Sequence, residues 1–537
     1  MTTTGQPQID FSALAKADLA DDGGKRLDAL LLVTGDIADA VAQAVAHDFA
    51  IMPAGGLTSA IGSFEYGKDS VSGFAGIVAI RPKGAVTAEI VDAAVPVLNL
   101  KTHQVAIDSE RGLVSAGAGL TFTQVNAALA EQVGPNARVL VDLTSIGSAF
   151  VGGVVATGAM GPLRMRPSST LDAVVLADGG APRLLAGPDL DMVEGLQGWT
   201  GMVVAARFRY YEVPPSEFGL VLPVQGTDTD AVAGLLAYLE PWTQVHLPGS
   251  GGRLGNGDTV LNGVELVSRD SLETFVEHAQ DPARTKAQGL LQSCEYAGAD
   301  WLACITGWSE NSVDDVLFSL MDPETETIGG VMIEFGVGFS SGSEMDTFRA
   351  IREGAPDMAR TKARVQPEGQ MKPWSTSTDV NLQVPSEAGV ISDVMAAYAA
   401  YRDTVRALAA EVEGSGVRVE LSAYGHLSPH GIDPHHRVTV FADLGQEQVL
   451  DSVRTKVLDG KRTLIRELLD AAKRGGGTVT GGEKGAPSLV EIARAAGGED
   501  KIPADLRDRL RRARQAVANT PVHFSFRAPA DLKSASE

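Results

Sequence analysis

The strongest indication of the fold is the segment DLTSIGSAFVGGVVATGAMGP, which runs from Asp142 to Pro162. Glycine stands at positions 147, 152, 153, 158 and 161, with Ser145, Ser148 and Thr157 between the glycines as short hydrogen-bond donors. Each glycine inside a helix or strand costs roughly 0.5–1 kcal/mol, so this composition favours neither element. Glycines can be required despite this cost where the backbone must lie against a flat ligand. The alternative is a segment whose packing tolerates glycine.

A second glycine-rich loop, PAGGLTSAIG, lies earlier in the chain, from Pro53 to Gly62. It follows a short strand, and its glycines would let backbone N–H groups approach a pyrophosphate. Thr58 and Ser59 add hydroxyl donors. The loop lacks the GxGxxG pattern and no regular helix follows it, which disfavours a dinucleotide-binding Rossmann site. Taken alone, it predicts either a phosphate loop or a structural turn.

The bulk composition excludes several classes of function. The chain has 537 residues, and its 45 Lys and Arg against 68 Asp and Glu give a net charge of −23, which repels nucleic acid and anionic lipid. Its two cysteines, Cys294 and Cys304, are too few for a four-cysteine metal site, and we expect both to be buried. The first residues lack a secretory signal and no apolar run is long enough to span a bilayer, so we expect a cytoplasmic protein.

The pattern of strands and helices predicts an α+β chain in three parts. From Arg26 onward, short strands alternate with amphipathic helices until the pair Pro214-Pro215, which we take as the clearest domain boundary. Helices and strands then alternate without a repeat, and the end of the chain is mostly helical. We therefore expect boundaries that give residues 1–214, 215–444 and 445–537.

Three segments resemble motifs of the PCMH-type FAD-binding domain of the vanillyl-alcohol oxidase superfamily, and most closely its D-lactate dehydrogenase, D-2-hydroxyglutarate dehydrogenase and glycolate oxidase group. Pro53 to Thr58 fits the loop P-x-G-G-x-T. Phe150 to Pro162 fits T-I-G-G-N-V-A-T-N-A-G-G-P-R, with Val154 in place of Asn. Gly195 to Val204 matches G-S-E-G-T-L-G-V-I-T, with Gln197 in place of the usual Glu.

The resemblance implies a two-subdomain PCMH-type FAD-binding domain (1–214), an α+β substrate domain built on an antiparallel sheet with helices (215–444), and a helical C-terminal segment (445–537). We expect the FAD to be non-covalent, because neither histidine nor cysteine lies between Met52 and Gly62. The two loops would hold the pyrophosphate, and Val203 would lie by the edge of the flavin ring. The implied FAD-binding residues are Pro53, Gly55, Gly56, Leu57, Thr58, Ser59, Asp142, Ser145, Gly147, Ser148, Gly152, Gly153, Ala156, Thr157, Gly158, Gly161 and Val203.

Four of the nine histidines lie between Gly425 and His436. We predict a loop there between two strands, where clustered imidazoles indicate a divalent metal site or a catalytic base, and a polar surface hairpin is the alternative. The family has G-H-x-G-D-G-N-x-H at this place. By resemblance, His426 and His436 would bind a zinc-like ion, although their spacing is ten rather than seven and the Asp-Gly-Asn is missing.

The remaining candidate residues also come from the resemblance. Gly476 to Gly485 is similar to G-G-S-I-S-A-E-H-G-I-G, so that Glu483 would be the third metal ligand and Lys484 would replace a catalytic histidine. A lysine acts as a base only when its pKa is strongly lowered, and a solvent-exposed Lys484 is the alternative. Arg352 matches an arginine that would bind a substrate carboxylate as a bidentate partner, the alternative being a solvated helix face.

The function that the resemblance implies is FAD-dependent dehydrogenation of a D-2-hydroxy acid of the lactate, glycolate or 2-hydroxyglutarate kind. The hydride would pass from the substrate Cα to the flavin N5, with Arg352, Lys484 and His426 as catalytic residues. Electrons would then pass to a quinone or an electron-transfer flavoprotein. A different alcohol substrate and a non-catalytic FAD-binding subunit are the alternatives, and a homodimer is possible in either case.

Overall fold

The structure is a computed structural model. It describes residues 29–53, 55, 76–87, 89–92, 95–99, 105–141, 143, 146–159, 167–225, 229–243, 259–333, 336–340, 342–362, 368–371, 373–378, 381–383, 388–428, 431–476, 478–480 and 485–518. Within these residues, no helix is long and apolar enough to cross a membrane.

A small parallel sheet begins the described chain. Its three strands lie in the order β1-β3-β2, and helix α1 packs against them through Val41 and Ala44. A separate antiparallel pair, β4 and β5, follows in sequence. The bounds are β1 Ala29–Asp36, α1 Ile37–Ala46, β2 Phe49–Pro53, β3 Gly76–Thr87, β4 Glu89–Asp92 and β5 Val95–Asn99.

The second subdomain is an antiparallel sheet of five strands, in the order β10-β9-β11-β7-β6. Helix α2 begins at a capping box, in which Thr121 and Gln124 exchange side-chain and backbone hydrogen bonds. The bounds are β6 Val105–Asp108, β7 Leu113–Gly117, α2 Phe122–Gln132, β8 Ala137–Arg138, α3 Val151–Thr157, α4 Pro167–Thr170, β9 Leu171–Ala177, β10 Arg183–Ala186, a 3₁₀ helix Gly187–Met192, β11 Met202–Arg209 and β12 Tyr211–Glu212.

The largest sheet has nine strands in the order β18-β13-β15-β14-β21-β22-β20-β23, with β19 paired to β22. Its pairings are antiparallel. The strands are β13 Ser216–Gln225, β14 Thr259–Ser268, β15 Ala299–Ser309, β18 Val337–Phe339, β19 Trp374–Ser377, β20 Asn381–Gln383, β21 Val417–Ser428, β22 Gly431–Ala442 and β23 Thr478–Thr480, and β16 Thr327–Ile328 pairs with β17 Val331–Met332 outside it.

Helices cover both faces of this sheet, because alternate strand residues point to opposite sides. Leu220 and Ile305 belong to a core shared with α5, α10 and the C-terminal helices, whereas Val221 and Leu302 pack with α6, α7 and α9. The bounds are α5 Thr229–Thr243, α6 Arg269–His278, α7 Ala283–Ala297, α8 Val313–Leu320, α9 Gly342–Lys362, α10 Ala388–Glu411, α11 Glu447–Arg474, α12 Gly485–Ala496, a 3₁₀ helix Glu499–Lys501 and α13 Ala504–Ala518.

The described residues after 444 share the core of the large sheet. Strand β23 pairs with β20 and thereby extends the large sheet. Leu464 of α11, Ile492 of α12 and Leu506 of α13 join the same apolar cluster as the sheet. The described chain after residue 444 is therefore mostly helical, as expected, but it packs on the large sheet and adds a strand to it. The two boundaries at residues 214 and 444 stay predictions.

Candidate functional site

Three glycine-rich segments that are far apart in sequence meet in the first half of the structure. Gly55 follows β2, and a Cβ built on it would lie 3.7 Å from both Gly153 Cα and Phe150 Cβ in the second segment. A Cβ on Gly198, in the third segment, would lie 2.9 Å from Pro53 Cγ. The first loop thus touches both of the others. We call Pro53, Gly55, Gly153 and Gly198 the glycine cradle.

The second segment forms a short helix, α3, where the sequence predicted neither helix nor strand. Val151, Val154 and Val155 of α3 are buried in the core of the five-stranded sheet. The helix ends at Gly158, whose φ of 63° is left-handed and suits glycine. Tertiary burial of one apolar face therefore outweighs the poor intrinsic propensity of the glycines.

The two adjacent glycines of α3 serve different purposes. A Cβ on Gly152 would lie 2.8 Å from Ala118 Cβ, and the Gly152 N–H donates to the Ala118 carbonyl at 3.0 Å. Gly152 is therefore required by the packing of the protein on itself. A Cβ on Gly153 would meet no atom of the described residues within 4 Å. Packing therefore explains Gly152, whereas no described atom occupies the space beside Gly153.

The other predicted residues of this segment are placed as follows. The Thr157 hydroxyl donates to the Gly153 carbonyl at 2.8 Å, so its proton is used within α3. Gly147 and Ser148 lie exposed in a turn before the helix. The Ala156 carbonyl accepts the N–H of Gln197 at 2.8 Å, which joins α3 to the third segment. Gly56, Leu57, Thr58, Ser59, Asp142, Ser145 and Gly161 lie outside the described residues.

The third segment turns sharply through left-handed backbone. Gly195 and Gly198 have φ values of 74° and 78°, and Gln197 between them has a φ of 53°. A Cβ on Gly201 would lie 2.7 Å from Leu176 Cγ, so the turn lies tightly on strand β9. Val203 follows in β11, and its side chain lies in the core beneath α3. The Val203 carbonyl oxygen would lie 3.4 Å from a Cβ built on Gly152, so the backbone of β11 adjoins α3.

On the substrate side of the chain, the predicted histidine-rich loop is largely strand. Strands β21 and β22 continue to Ser428 and from Gly431, so the turn between them is short. In their antiparallel register Tyr424 lies opposite His435, and Ala423 lies opposite His436. Paired residues share a face of the sheet, whereas successive residues alternate between faces. His426 therefore shares a face with His435 and not with His436.

This register corrects the predicted metal site. His426 and His436 lie on opposite faces of the sheet, so one ion cannot bind both side chains. The third predicted ligand, Glu483, and the predicted base Lys484 lie outside the described residues. Within the described part of the chain, no group of three or more His, Cys, Asp or Glu side chains could hold a metal ion.

A buried charge cluster lies on the His426 face of the sheet. It consists of Glu265, Arg352, His426 and His435. Glu265 has 0 % exposure and lies opposite His426 in the β14–β21 pairing. The Arg352 Nε is 3.7 Å from a Glu265 carboxylate oxygen, and the His426 and His435 ring centroids are 5.6 Å apart. Tyr424 stacks on His435 with a centroid distance of 4.8 Å.

The cluster brings together two residues that the sequence singled out separately, Arg352 and His426. Sequence reasoning missed Glu265, and it counted His435 in the histidine cluster without assigning it a role. The signal for Glu265 was a carboxylate in the apolar strand Val264 to Val267, since such a residue is rarely fully buried without a partner. Glu265 already compensates the charge of Arg352, so this guanidinium would attract a substrate carboxylate less strongly.

His436 has a different environment on the other face. Its ring stacks on Tyr398 at 4.8 Å, with an interplanar angle of 14°, and meets Tyr401 and Trp301 edge-on. Burial, and then the charge of Arg402, lower the pKa of His436 to about 3, so the ring is neutral at physiological pH. This is the environment of a core side chain packed among aromatic rings.

Both cysteines are free and buried, as expected. Burial raises the pKa of the Cys294 thiol to about 12, and burial together with the charge of Glu265 raises the pKa of Cys304. Neither sulfur is therefore available as a thiolate at neutral pH.

The architecture corresponds to a known class of fold. The chain is a mixed structure of helices and antiparallel sheet with the fold of PCMH-type FAD-binding oxidases, as the sequence predicted. It resembles the 4-ethylphenol oxidase from Gulosibacter chungangensis, in a complex with isoeugenol, with a TM-score of 0.54 and 13% identity over 93% of this chain and 88% of that chain.

Two structures of alkyldihydroxyacetonephosphate synthase are also similar. Each has a TM-score of 0.52, with 12% identity over 84% of this chain and 72% of that chain in one, and 13% over 82% and 70% in the other. At such identities the likeness establishes the fold alone. No family model matches the chain, and no curated protein matches its sequence. The predicted closeness to the D-lactate dehydrogenase group stays a prediction.

Proposed function

We propose that this chain is an FAD-dependent oxidoreductase that binds its flavin non-covalently. The observation that carries the proposal is the glycine cradle, in which three separate glycine-rich segments meet and Gly153 leaves open space. A packing role explains Gly152 but not Gly153, because no described atom lies near a Cβ at position 153. The shared fold of PCMH-type FAD-binding oxidases supports the same conclusion.

The residues of the cradle fit the cofactor. The backbone of Gly55 and Gly153 would lie against the pyrophosphate, and the exposed Ser148 hydroxyl would add a donor. A bound flavin would supply the hydride acceptor of the reaction. The protein would contribute orientation, since packing fixes α3 through Gly152 and the third segment through Gly198.

For the substrate, we propose first a D-2-hydroxy acid, with a quinone or an electron-transfer flavoprotein as the acceptor. Arg352 would bind the carboxylate and His426 would take the hydroxyl proton, and their meeting in one buried cluster supports this assignment. Lys484 would be a second candidate for the base. The cluster has no metal in this proposal.

One observation favours a second candidate, an uncharged alcohol or phenol. Glu265 lies 3.7 Å from Arg352, so a substrate carboxylate would have to share the guanidinium with a buried carboxylate. An uncharged hydroxyl would meet no such repulsion. The structural likeness to 4-ethylphenol oxidase points in the same direction.

The cofactor is tested with purified protein and matched glycine variants. We expect a yellow oxidised-flavin spectrum and release of intact FAD by acid precipitation. Gly153→Leu should abolish FAD binding by filling the open space. Gly289→Leu is the control, because Gly289 is also a helical glycine whose Cβ would meet no described atom within 4 Å, but it is exposed on α7. Equal FAD affinity in both variants would remove the cradle as the flavin site.

The substrate is tested by anaerobic bleaching of the bound flavin. D-lactate, glycolate and D-2-hydroxyglutarate form one half of the panel, and uncharged alcohols and alkylphenols form the other. Bleaching by the acids alone supports the first candidate, and bleaching by the uncharged compounds alone supports the second. A protein that holds FAD but is bleached by neither half would contradict both assignments.

A further inference from the structure

Gln197 holds an unfavourable backbone conformation inside the protein. Its φ of 53° is left-handed, which residues with a Cβ rarely adopt. Within the described residues, Asp48 and Glu326 are the other non-glycine residues with positive φ, and both are exposed. Gln197 is only 8 % exposed. Such conformations persist where surrounding structure enforces them, and they concentrate at ligand sites.

The side chain of Gln197 is also incomplete in its hydrogen bonding. Its Nε2 is buried and has no hydrogen-bond partner among the described residues. A buried amide donor without a partner is costly, because it has lost its bonds to water and gained none in exchange. Contacts within the described part of the protein therefore stabilise neither the left-handed backbone of Gln197 nor its buried amide donor.

The position of Gln197 suggests what would complete it. Its backbone N–H donates to the Ala156 carbonyl of α3 at 2.8 Å, and the next residue, Gly198, lies against Pro53. Gln197 thus stands where the three segments of the glycine cradle meet. It lies in the segment of the third motif, at the position where the resemblance has a glutamate.

We infer that the Gln197 Nε2 donates a hydrogen bond to an oxygen of the bound cofactor. This inference rests on the proposed FAD function. The acceptor is a carbonyl oxygen of the isoalloxazine or a phosphate oxygen, since both accept from an amide N–H. A glutamate at this position would be acceptor-only when ionised and would repel phosphate, so the carboxamide supplies a donor that a carboxylate could not.

Two variants test the role of the amide. Gln197→Glu keeps the shape and removes the donor, and Gln197→Gly removes the side chain while relieving the left-handed backbone. We expect each to weaken FAD binding about tenfold, the fold-change that corresponds to about 1.4 kcal/mol for one net hydrogen bond. Glu326→Gly is the matched control, because it relieves the same φ of 53° at an exposed site outside the three glycine-rich segments and should leave FAD affinity unchanged.

Affinities of the apoprotein for FAD, riboflavin and ADP, measured by calorimetry, identify the acceptor. A loss confined to FAD and riboflavin indicates an isoalloxazine carbonyl, and a loss confined to FAD and ADP indicates a phosphate oxygen. Unchanged FAD affinity in Gln197→Gly, with a folded protein by circular dichroism, overturns the inference. Equal losses for all three ligands would mean that the cradle has collapsed and overturn it as well. Wild-type protein without any FAD affinity would instead sink the proposed function.

Discussion

Two neighbouring glycines of α3 should respond in opposite ways to the same substitution. In Gly152→Ala the new methyl group would lie 2.8 Å from Ala118 Cβ and 3.4 Å from the carbonyl oxygens of Ala118 and Val203. Favourable carbon contacts begin at about 3.5 Å, so the helix and the strand must separate by several tenths of an ångström. Ala118 has no flexible side chain that could move away. Overpacking of this kind costs about 1–3 kcal/mol.

Gly153→Ala introduces the same methyl group one residue later without a clash, because no described atom lies within 4 Å. Both variants gain the same intrinsic helix propensity of about 1 kcal/mol relative to glycine. The difference between their free energies of unfolding therefore isolates the steric cost. We expect Gly153→Ala to be the more stable variant by about 1–3 kcal/mol.

The assay is urea denaturation of the FAD-free protein, followed by circular dichroism and compared through the shift in midpoint. Repeating it with FAD adds a second readout, because a ligand that binds only the folded state raises stability. Saturating FAD should stabilise Gly153→Ala less than wild type, since the methyl group enters the open space. Equal stability of the two FAD-free variants would refute the assignment of Gly152 to packing, and equal stabilisation of Gly153→Ala and wild type by FAD would refute the assignment of Gly153 to the ligand.

Three further predictions concern buried ionisable groups. Glu265→Gln leaves Arg352 buried without its counter-charge and should cost about 3–5 kcal/mol in urea denaturation, much of it recovered when Arg352→Met is added. The pKa of His436 is lowered from 6.5 to about 3, so its contribution to stability is complete above pH 6.5 and is lost as pH falls. His436→Phe should therefore flatten the acid side of the stability profile by up to about 1.4 kcal/mol per pH unit. Cys294 and Cys304 should not react with a thiol reagent at about pH 8 until denaturant is added, and labelling of the native protein would contradict their burial.

The sequence predicted the cradle because glycine is unusually informative there. Few reasons explain a run of glycines with interleaved hydroxyl residues, and two of the three segments lie on the chain at strand ends. Sequence could not separate Gly152 from Gly153, because the difference depends on Ala118, which lies more than thirty positions earlier in the chain. It also could not predict α3, because propensity opposes that helix and only the burial of its valines stabilises it.

The histidine site shows a different limit, one of register. A cluster from His426 to His436 suggests proximity, but a strand places successive side chains on opposite faces. A loop does not alternate its side chains between two faces, so the prediction of a loop allowed His426 and His436 to bind one ion. The hairpin pairing of Tyr424 with His435 was needed to assign each histidine to a face. Long-range pairing likewise brought Glu265, from β14, into contact with Arg352.

The charges of Glu265 and Arg352 also distinguish the two candidate substrates, a 2-hydroxy acid and an uncharged alcohol. Glu265 and Arg352 compensate each other, so a bound 2-hydroxy acid would add a second carboxylate beside one guanidinium. Two carboxylates that share a site favour the uptake of a proton. The KM for an acid should therefore rise with pH, by up to about tenfold per unit where one proton is taken up on binding. An uncharged alcohol adds no charge, and its KM should not change for this reason.

Glu265→Gln is the variant that tests this charge argument, by steady-state kinetics across a pH series. It removes the competing carboxylate and should make the KM for the acid lower and less dependent on pH, although the variant is less stable. The KM for an uncharged substrate should stay within about twofold, because no charge is gained or lost on binding. If the KM for the acid were independent of pH in wild type and unchanged in Glu265→Gln, then Arg352 would not be the group that binds the carboxylate. The buried pair would then be a structural ion pair, and the substrate site would have to be sought at another face of the large sheet.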